Sequence, residues 1–522
     1  MSLNTQKSNV MGRLPFIMVP LLVIVLFATS AFAAAPGITG PTFALDAAAN
    51  YISQPDGMQI YSWGYGCTVA PAGYAPFTPP AGSTCGTMQV PGPTLIVTEG
   101  QTVTVTLTNS LPKVVGNTSI IFSGFNVTSS GGVTGLLAQE AVPAGTVTYT
   151  FTPSAPGTHA YYSGTQSDLQ VEMGLYGAVI VLPKTPPANC TPLGSELGGR
   201  TDYRLAPSAY DHAETCYDRE YLFQFAEVDF SIHRQAELQV QAALAAGATA
   251  SALNVATEPY KANYFLINGR SMPDDMDANY APNYPNQPYN GNPHMHPGEL
   301  VLIRTIGQGR MEHPFHEHAN HVRILARDGN LMVSQTDASK LAGLLMFTTD
   351  TFPGQTFDGI FYFSGRGLNW DMYNHLPSDG SVCIPDANGY YTTASSPPAA
   401  PPTFSAGVFA SGARNYYEWC ADHDKPLQTV NGGPATLPDP LVVTNGLWYS
   451  GSPYMGTDAR NNGSFTQTPL PPGSAVQNPE AGFAFMWHSH NEREITTNDV
   501  FPGGMMMMML VDPPVFFIDE TL

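Results

Sequence analysis

PGPTLIVTEGQTVTVTLTNSL, residues 91–111, decides the fold class. Leu, Val and Thr alternate on either side of a Glu-Gly turn, the period of two that belongs to strands, and the stretch reads as a hairpin. Further along, VTYTFTPSAPGTHAYYSG (147–164) and GLYGAVIVLP (174–183) add strand runs that close a first unit over residues 42–185. Only 12% of the residues are charged, while 50 glycines and 47 prolines punctuate short runs rich in Thr, Val, Tyr and Phe. That composition describes many short strands joined by turns, an all-β protein. At 522 residues the chain has room for two or three domains.

A linker with two cysteines, residues 186–218, leads to a second unit over 219–518 that opens with YLFQFAEVDFSI (221–232). The Ala-rich AELQVQAALAAGATASALN (236–254) reads as a helical insertion. Strand runs resume at NYFLINGR (263–270), ELVLIRTIG (299–307), HVRILARDG (321–329) and TFPGQTFDGIFYFSG (351–365). The turn-rich 366–478 reads as a long insertion, and FAFMWHSH with MMMMMLVD supplies the last strands.

A net charge of −21 argues against nucleic acid or an anionic membrane surface as partner and mildly favours cations. Residues 1–33 read as a signal peptide: Lys7 and Arg13 precede the apolar run LPFIMVPLLVIVLFA, and Ala31-Phe32-Ala33 offers a small-x-small cleavage site. The rival reading is an uncleaved anchor, but the run is short for spanning and holds two prolines. After cleavage the protein is expected to be secreted, periplasmic or extracellular, without membrane attachment. Six cysteines suit an oxidising compartment. Sequence-local pairing joins Cys67 with Cys85, Cys190 with Cys216 and Cys383 with Cys420, one of fifteen pairings.

Histidine density points to metal. MEHPFHEHANH (311–321) holds His313, His316, His318 and His321, and FAFMWHSHNERE (483–494) holds His488 and His490. In a strand, residues two apart share a face, so each HxH pair presents two imidazoles on one side. If the two strands are neighbours, four imidazoles meet, a donor set that suits copper, zinc or nickel. Glu317, Glu492 and Glu494 are candidate outer acceptors for ring N–H groups. His294 and His296 form a further HxH, read either as a second metal site or as an ordinary turn. His321, three past His318, is expected to face away. Met505 to Met509 invites a copper(I) reading because thioether sulfur is soft, but core packing explains a methionine strand as well. DGSVCIPDANGYY (379–391) lacks the regular acidic spacing of a calcium loop.

HPFHEH at 313–318 resembles the H-P-x-H-x-H motif of multicopper oxidases, and WHSHNERE at 487–494 resembles that family's H-C-H-x-x-x-H motif. PGPTLIVTEGQTVTVTLTN, TSIIFSG (118–124) and APGTHAYYSG…GLYGAVIV (155–181) extend the resemblance through the first unit. It implies two cupredoxin-like Greek-key β-sandwich domains, copper as cofactor, and a possible homotrimer by family analogy. Carried over by residue, His316, His318, His488 and His490 match half of the trinuclear-cluster ligands, and His313 matches a ligand of the mononuclear copper. The departures are specific. Ile121-Phe122-Ser123-Gly124 stands for H-W-H-G and Tyr161-Tyr162-Ser163-Gly164 for Y-H-S-H, so the first unit has lost its ligands. Ser489 replaces the mononuclear-copper cysteine and Glu494 the following histidine. A serine hydroxyl is a hard, protonated, poor ligand for that copper.

Two functional readings follow. One is an oxidoreductase that uses copper at the histidine quartet with another route of electron entry, classical four-copper oxygen reduction being unexpected. The other is a non-catalytic copper-sequestering or structural cupredoxin protein. The sequence names no substrate and no catalytic residue.

Overall fold

The computed structural model describes residues 34–79, 85–193, 202–296, 299–363 and 481–512, with Ile518 and five short strands between Ile384 and Met455. The expected signal peptide, the expected Cys383–Cys420 pair and nearly all of the expected 366–478 insertion lie outside the described residues.

The two strands of the opening motif, Leu95–Thr98 and Val103–Asn109, do not form the expected hairpin, because they belong to different sheets. Leu95, Ile96 and Val97 are all buried, as befits a strand covered on both faces, whereas 103–109 alternates buried and half-buried residues. Gly100, at φ +77°, turns the chain from one sheet into the other. Thr146–Phe151 and Gly157–Tyr162 make a similar crossing.

The first unit is a sandwich of a five-stranded and a six-stranded sheet. Parallel pairs, Thr42–Ser53 on Val103–Asn109 and Leu95–Thr98 on Tyr176–Leu182, combine with antiparallel neighbours in the crossed order of a Greek key. Between the sheets lie Phe43, Leu45, Trp63, Leu107, Tyr149 and Val179. Disulfides Cys67–Cys85 and Cys190–Cys216 are formed, with Cα atoms 5.5 and 5.3 Å apart.

The second unit repeats the plan. One sheet contains Tyr264–Ile267, Arg219–Val228, Leu300–Gly307, Thr356–Tyr362 and Val322–Arg327 in that order. The facing sheet runs His294–Met295, Met506–Val511, Ala481–Ser489, His313–Glu317, Thr348–Thr351. Phe223, Phe315, Phe361, Trp487 and Met505, Met507 and Met509 fill the space between them.

The helix spans Phe230–Ala245, beginning before the Ala-rich stretch and stopping short of Gly247. Asp229 caps it by accepting the Ser231 N–H at 2.9 Å. Ile232, Ala236 and Val240 bury into the core of the first unit. A further seam joins the units: Ala160, Ala178 and Ile180 of the first pack on Leu222 and Ile306 of the second.

Candidate metal centre

Strands Ala481–Ser489 and His313–Glu317 pair antiparallel with His316 opposite His488 and Phe315 opposite Ser489. That register places the four histidines together on one sheet face. Ring centroids lie 4.8 Å apart for His316–His318, 4.9 Å for His316–His490, 5.2 Å for His318–His488, 5.4 Å for His488–His490 and 5.6 Å for His316–His488. His316, His318 and His488 are buried, at 5–6% exposure, whereas the His490 side chain is 54% exposed. The rings mostly stand edge to face, and among the described residues no three His, Cys, Asp or Glu side chains are closed up around an ion position. Coordination at about 2.0–2.1 Å therefore requires the rings to rotate toward a shared point.

Neighbours orient the rings. His316 Nδ1 lies 2.6 Å from Thr348 Oγ1, and His488 Nδ1 donates to the Ser489 carbonyl at 2.7 Å, leaving the His488 Nε2 lone pair to the cluster. Burial first, then the facing His488 and His490, push the His316 imidazole down to about 4. Burial likewise lowers His488. The neutral form this favours is the one that ligates metal. His490 Nδ1 lies 3.4 Å from Glu492.

The other sequence candidates lie elsewhere. His313 sits three residues before His316, so the strand turns it to the opposite face, into the sandwich interior. There both ring nitrogens are engaged, Nε2 with Glu227 Oε2 at 3.0 Å and Nδ1 with Glu494 Oε2 at 2.9 Å. Ser489 donates to that same Glu494 oxygen at 2.6 Å, and Asn491 Nδ2 donates to Oε1 at 2.9 Å. Glu494 thus faces the interior rather than the quartet. Glu317 also points inward, taking the Thr349 hydroxyl at 2.9 Å, and burial pushes its carboxyl up to about 8. His294 Nδ1 pairs with Asp512 at 2.7 Å and His296 Nδ1 with Glu299 at 3.0 Å, each with a carboxylate of its own. His321 is exposed and packs on Phe347, ring centroids 4.9 Å apart.

Glu227 is the residue that sequence reasoning missed. It lies in the facing sheet, 86 positions before His313, and is held by the Arg310 and Met311 amides at 2.6 and 3.0 Å. Tyr260 OH bridges it to Glu172, at 3.0 and 2.8 Å. Burial, and then the Glu227 charge, push the Glu172 carboxyl up to about 8. The available signal was a charge inside the apolar run YLFQFAEV, since a buried carboxylate needs a partner.

Burial alone lowers the His313 pKa, but the Glu227 and Glu494 carboxylates outweigh it and hold the imidazolium at about 9. A folded-state value above the reference 6.5 stabilises the fold fully below about pH 6.5, and that contribution is lost as pH rises through 9. Urea unfolding from pH 6.5 to 9.5 is expected to show a loss of ~3 kcal/mol. The loss should shrink in Glu494→Gln; an unchanged pH profile in that variant would contradict the assignment.

In the first unit, the strand Ile121–Phe122 pairs with Gly157–Tyr162 through Tyr161–Phe122 and Tyr162–Ile121. Any Cβ at Gly164 would meet Ile121 Cδ1 at 2.8 Å, so apolar packing closes the position where the related motif carries a histidine.

Residues 82–186 match the family model described as multicopper oxidase. Over that segment the chain is similar to multicopper oxidases. Laccase 1 of Metarhizium acridum is 35% identical over 99 residues, 18% of this chain and 15% of that protein. Copper resistance protein A of Escherichia coli is 37% identical over 98 residues, 19% of this chain and 15% of that protein. These alignments span less than a fifth of the relatives' length. Among solved structures, the blue copper oxidase from Nitrosomonas europaea aligns with TM-score 0.45 and 15% identity, covering 90% of this chain and 85% of that one. The multicopper oxidase mgLAC gives the same score and identity, covering 92% and 88%.

Proposed function

We propose that this multicopper oxidase relative is an exported protein that binds copper through His316, His318, His488 and His490. The observation that carries the reading is the convergence of four imidazoles from two distant segments on one sheet face, each ring within 5.6 Å of at least two others. Four such donors fit copper, and the similarity to multicopper oxidases makes copper the metal expected. Bound copper would supply one-electron chemistry. The chain's own part is to fix His488 through the Ser489 carbonyl, to steer His316 through Thr348, and to leave His490 as the exposed ligand at the entrance.

The interior position does not fit a mononuclear copper of the family type. His313, Ser489 and Glu494 meet there, but the soft sulfur donor is missing and Glu494 Oε2 already takes both the imidazole and the hydroxyl. Any oxidoreductase activity must therefore admit electrons directly at the quartet. Sequestration without turnover is the second reading, favoured by the Ile121–Gly164 contact that fills the first unit's ligand position.

Mass spectrometry and EPR on protein purified with copper test the site. Wild type is expected to retain copper without an intense blue band, and His316→Ala/His488→Ala to lose most of it. Equal copper in both would overturn the assignment. Oxygen uptake on phenols or reduced metal ions by the loaded wild type supports the enzyme, and retained copper without uptake supports sequestration.

A further inference from the structure

The methionine run divides by parity. Met505, Met507 and Met509 enter the sandwich core beside Trp487 and Phe485. Met506 and Met508 face the other way. The antiparallel register of Ala481–Ser489 with Met506–Val511 sets Met506 opposite His488 and Met508 opposite Met486. All three outward methionines therefore share the sheet face of the histidine quartet.

None of the three belongs to the apolar clusters formed among the described residues. Met506 is buried, while Met486 and Met508 are half-buried. A fourth thioether stands close by: Met276 Sδ accepts the Met508 N–H at 3.3 Å. Directly paired residues have Cα atoms about 4.5–5.5 Å apart, and long side chains also reach diagonal neighbours about 7–8 Å away. Three flexible thioethers at such positions can converge on one ion.

We propose that Met486, Met506 and Met508 form a binding site for a soft monovalent cation, copper(I), adjoining the quartet at His488. Thioether sulfur is a neutral, polarisable donor that selects copper(I) over harder divalent ions. Cross-strand pairing makes the site a ladder: Met508 and Met486 form its outer rung, Met506 and His488 its inner rung. The quartet favours no such softness by itself, so the two sites divide by oxidation state, thioethers for copper(I) and imidazoles for copper(II). The inference extends the copper reading but does not require it, because the sulfur site can fill whether or not the imidazoles do.

Anaerobic titration of the full chain with copper(I), in competition with a chromophoric copper(I) chelator, tests the site. The variant is Met486→Leu/Met506→Leu/Met508→Leu, in which leucine keeps apolar volume and removes sulfur. It is expected to bind one copper(I) equivalent fewer than wild type, with copper(II) uptake at the histidines unchanged by EPR. X-ray absorption of copper(I)-loaded wild type should show sulfur scattering, a readout that survives if the triple variant does not fold. Met505→Leu/Met509→Leu, altering only the core-facing set, should keep the full copper(I) count. Equal copper(I) binding in the outward variant and wild type, or nitrogen-only scattering in wild type, would overturn the proposal. Loss of copper(II) uptake in His316→Ala with retained copper(I)–sulfur scattering separates this site from the quartet. No copper(II) uptake in wild type, with that scattering present, would sink the quartet reading alone.

Discussion

His313→Leu is expected to destabilise the protein by ~3–5 kcal/mol, the cost of stripping one partner from a buried ion cluster. The ring is fully buried between Glu227 and Glu494, which are at 2% and 0% exposure. Without the imidazolium, two carboxylates would be left in the sandwich interior with no cation between them. Their remaining partners are neutral donors: the Arg310 and Met311 amides and the Tyr260 hydroxyl on Glu227, and the Ser489 hydroxyl and the Asn491 amide on Glu494. Such donors offset desolvation without cancelling mutual repulsion. His313→Leu/Glu227→Gln/Glu494→Gln removes both charges and keeps acceptor oxygens for those donors. It should recover more than half of the loss, seen as a higher urea midpoint than the single variant. If the single variant matched wild type within ~1 kcal/mol, or the neutralised triple fell further, the cluster would not hold the interior together as described.

This cluster also marks the limit of what the sequence shows. Parity alone puts His313 on the opposite face from His316, and it puts Ser489 opposite His488 and His490. Strand periodicity was thus enough to separate an interior group from an outward one. The partner Glu227 was not legible, since nothing local says which strand of the facing sheet lies over His313. The all-β class followed from alternation and turn residues, but the turn at Gly100 was misread, because a crossing between sheets and a hairpin share the same glycine signal. The five methionines show the same division. Their alternation is visible in the sequence. Which parity joins the histidines depends on the pairing of His488 with Met506, and that register is fixed by the chain between them, residues 489–505. The helix start moved for a local reason: Asp229 supplies a cap ahead of the Ala-rich stretch.

Ser489→Cys/Glu494→His is expected to create an intense blue copper(II) chromophore that neither wild type nor Ser489→Cys alone develops. In wild type the Glu494 Oε2 atom stands where His313 Nδ1 and the Ser489 hydroxyl converge, 2.9 and 2.6 Å away, the place an ion bound by both would occupy. A thiolate introduced at 489 would still face that carboxylate, and His313 Nδ1 would remain a donor to it. Changing Glu494 to histidine removes the competing acceptor and completes two imidazoles and one thiolate, the trigonal donor set of blue copper sites. Glu227 then becomes an asset, since by accepting from Nε2 it fixes the His313 ring with Nδ1 turned inward. Copper-loaded spectra of the three proteins decide the matter. A blue single variant would mean that Glu494 does not block the position. A colourless double variant carrying copper only at the quartet would mean that the interior cluster is not the remnant of a mononuclear copper site, whatever its motif resembles.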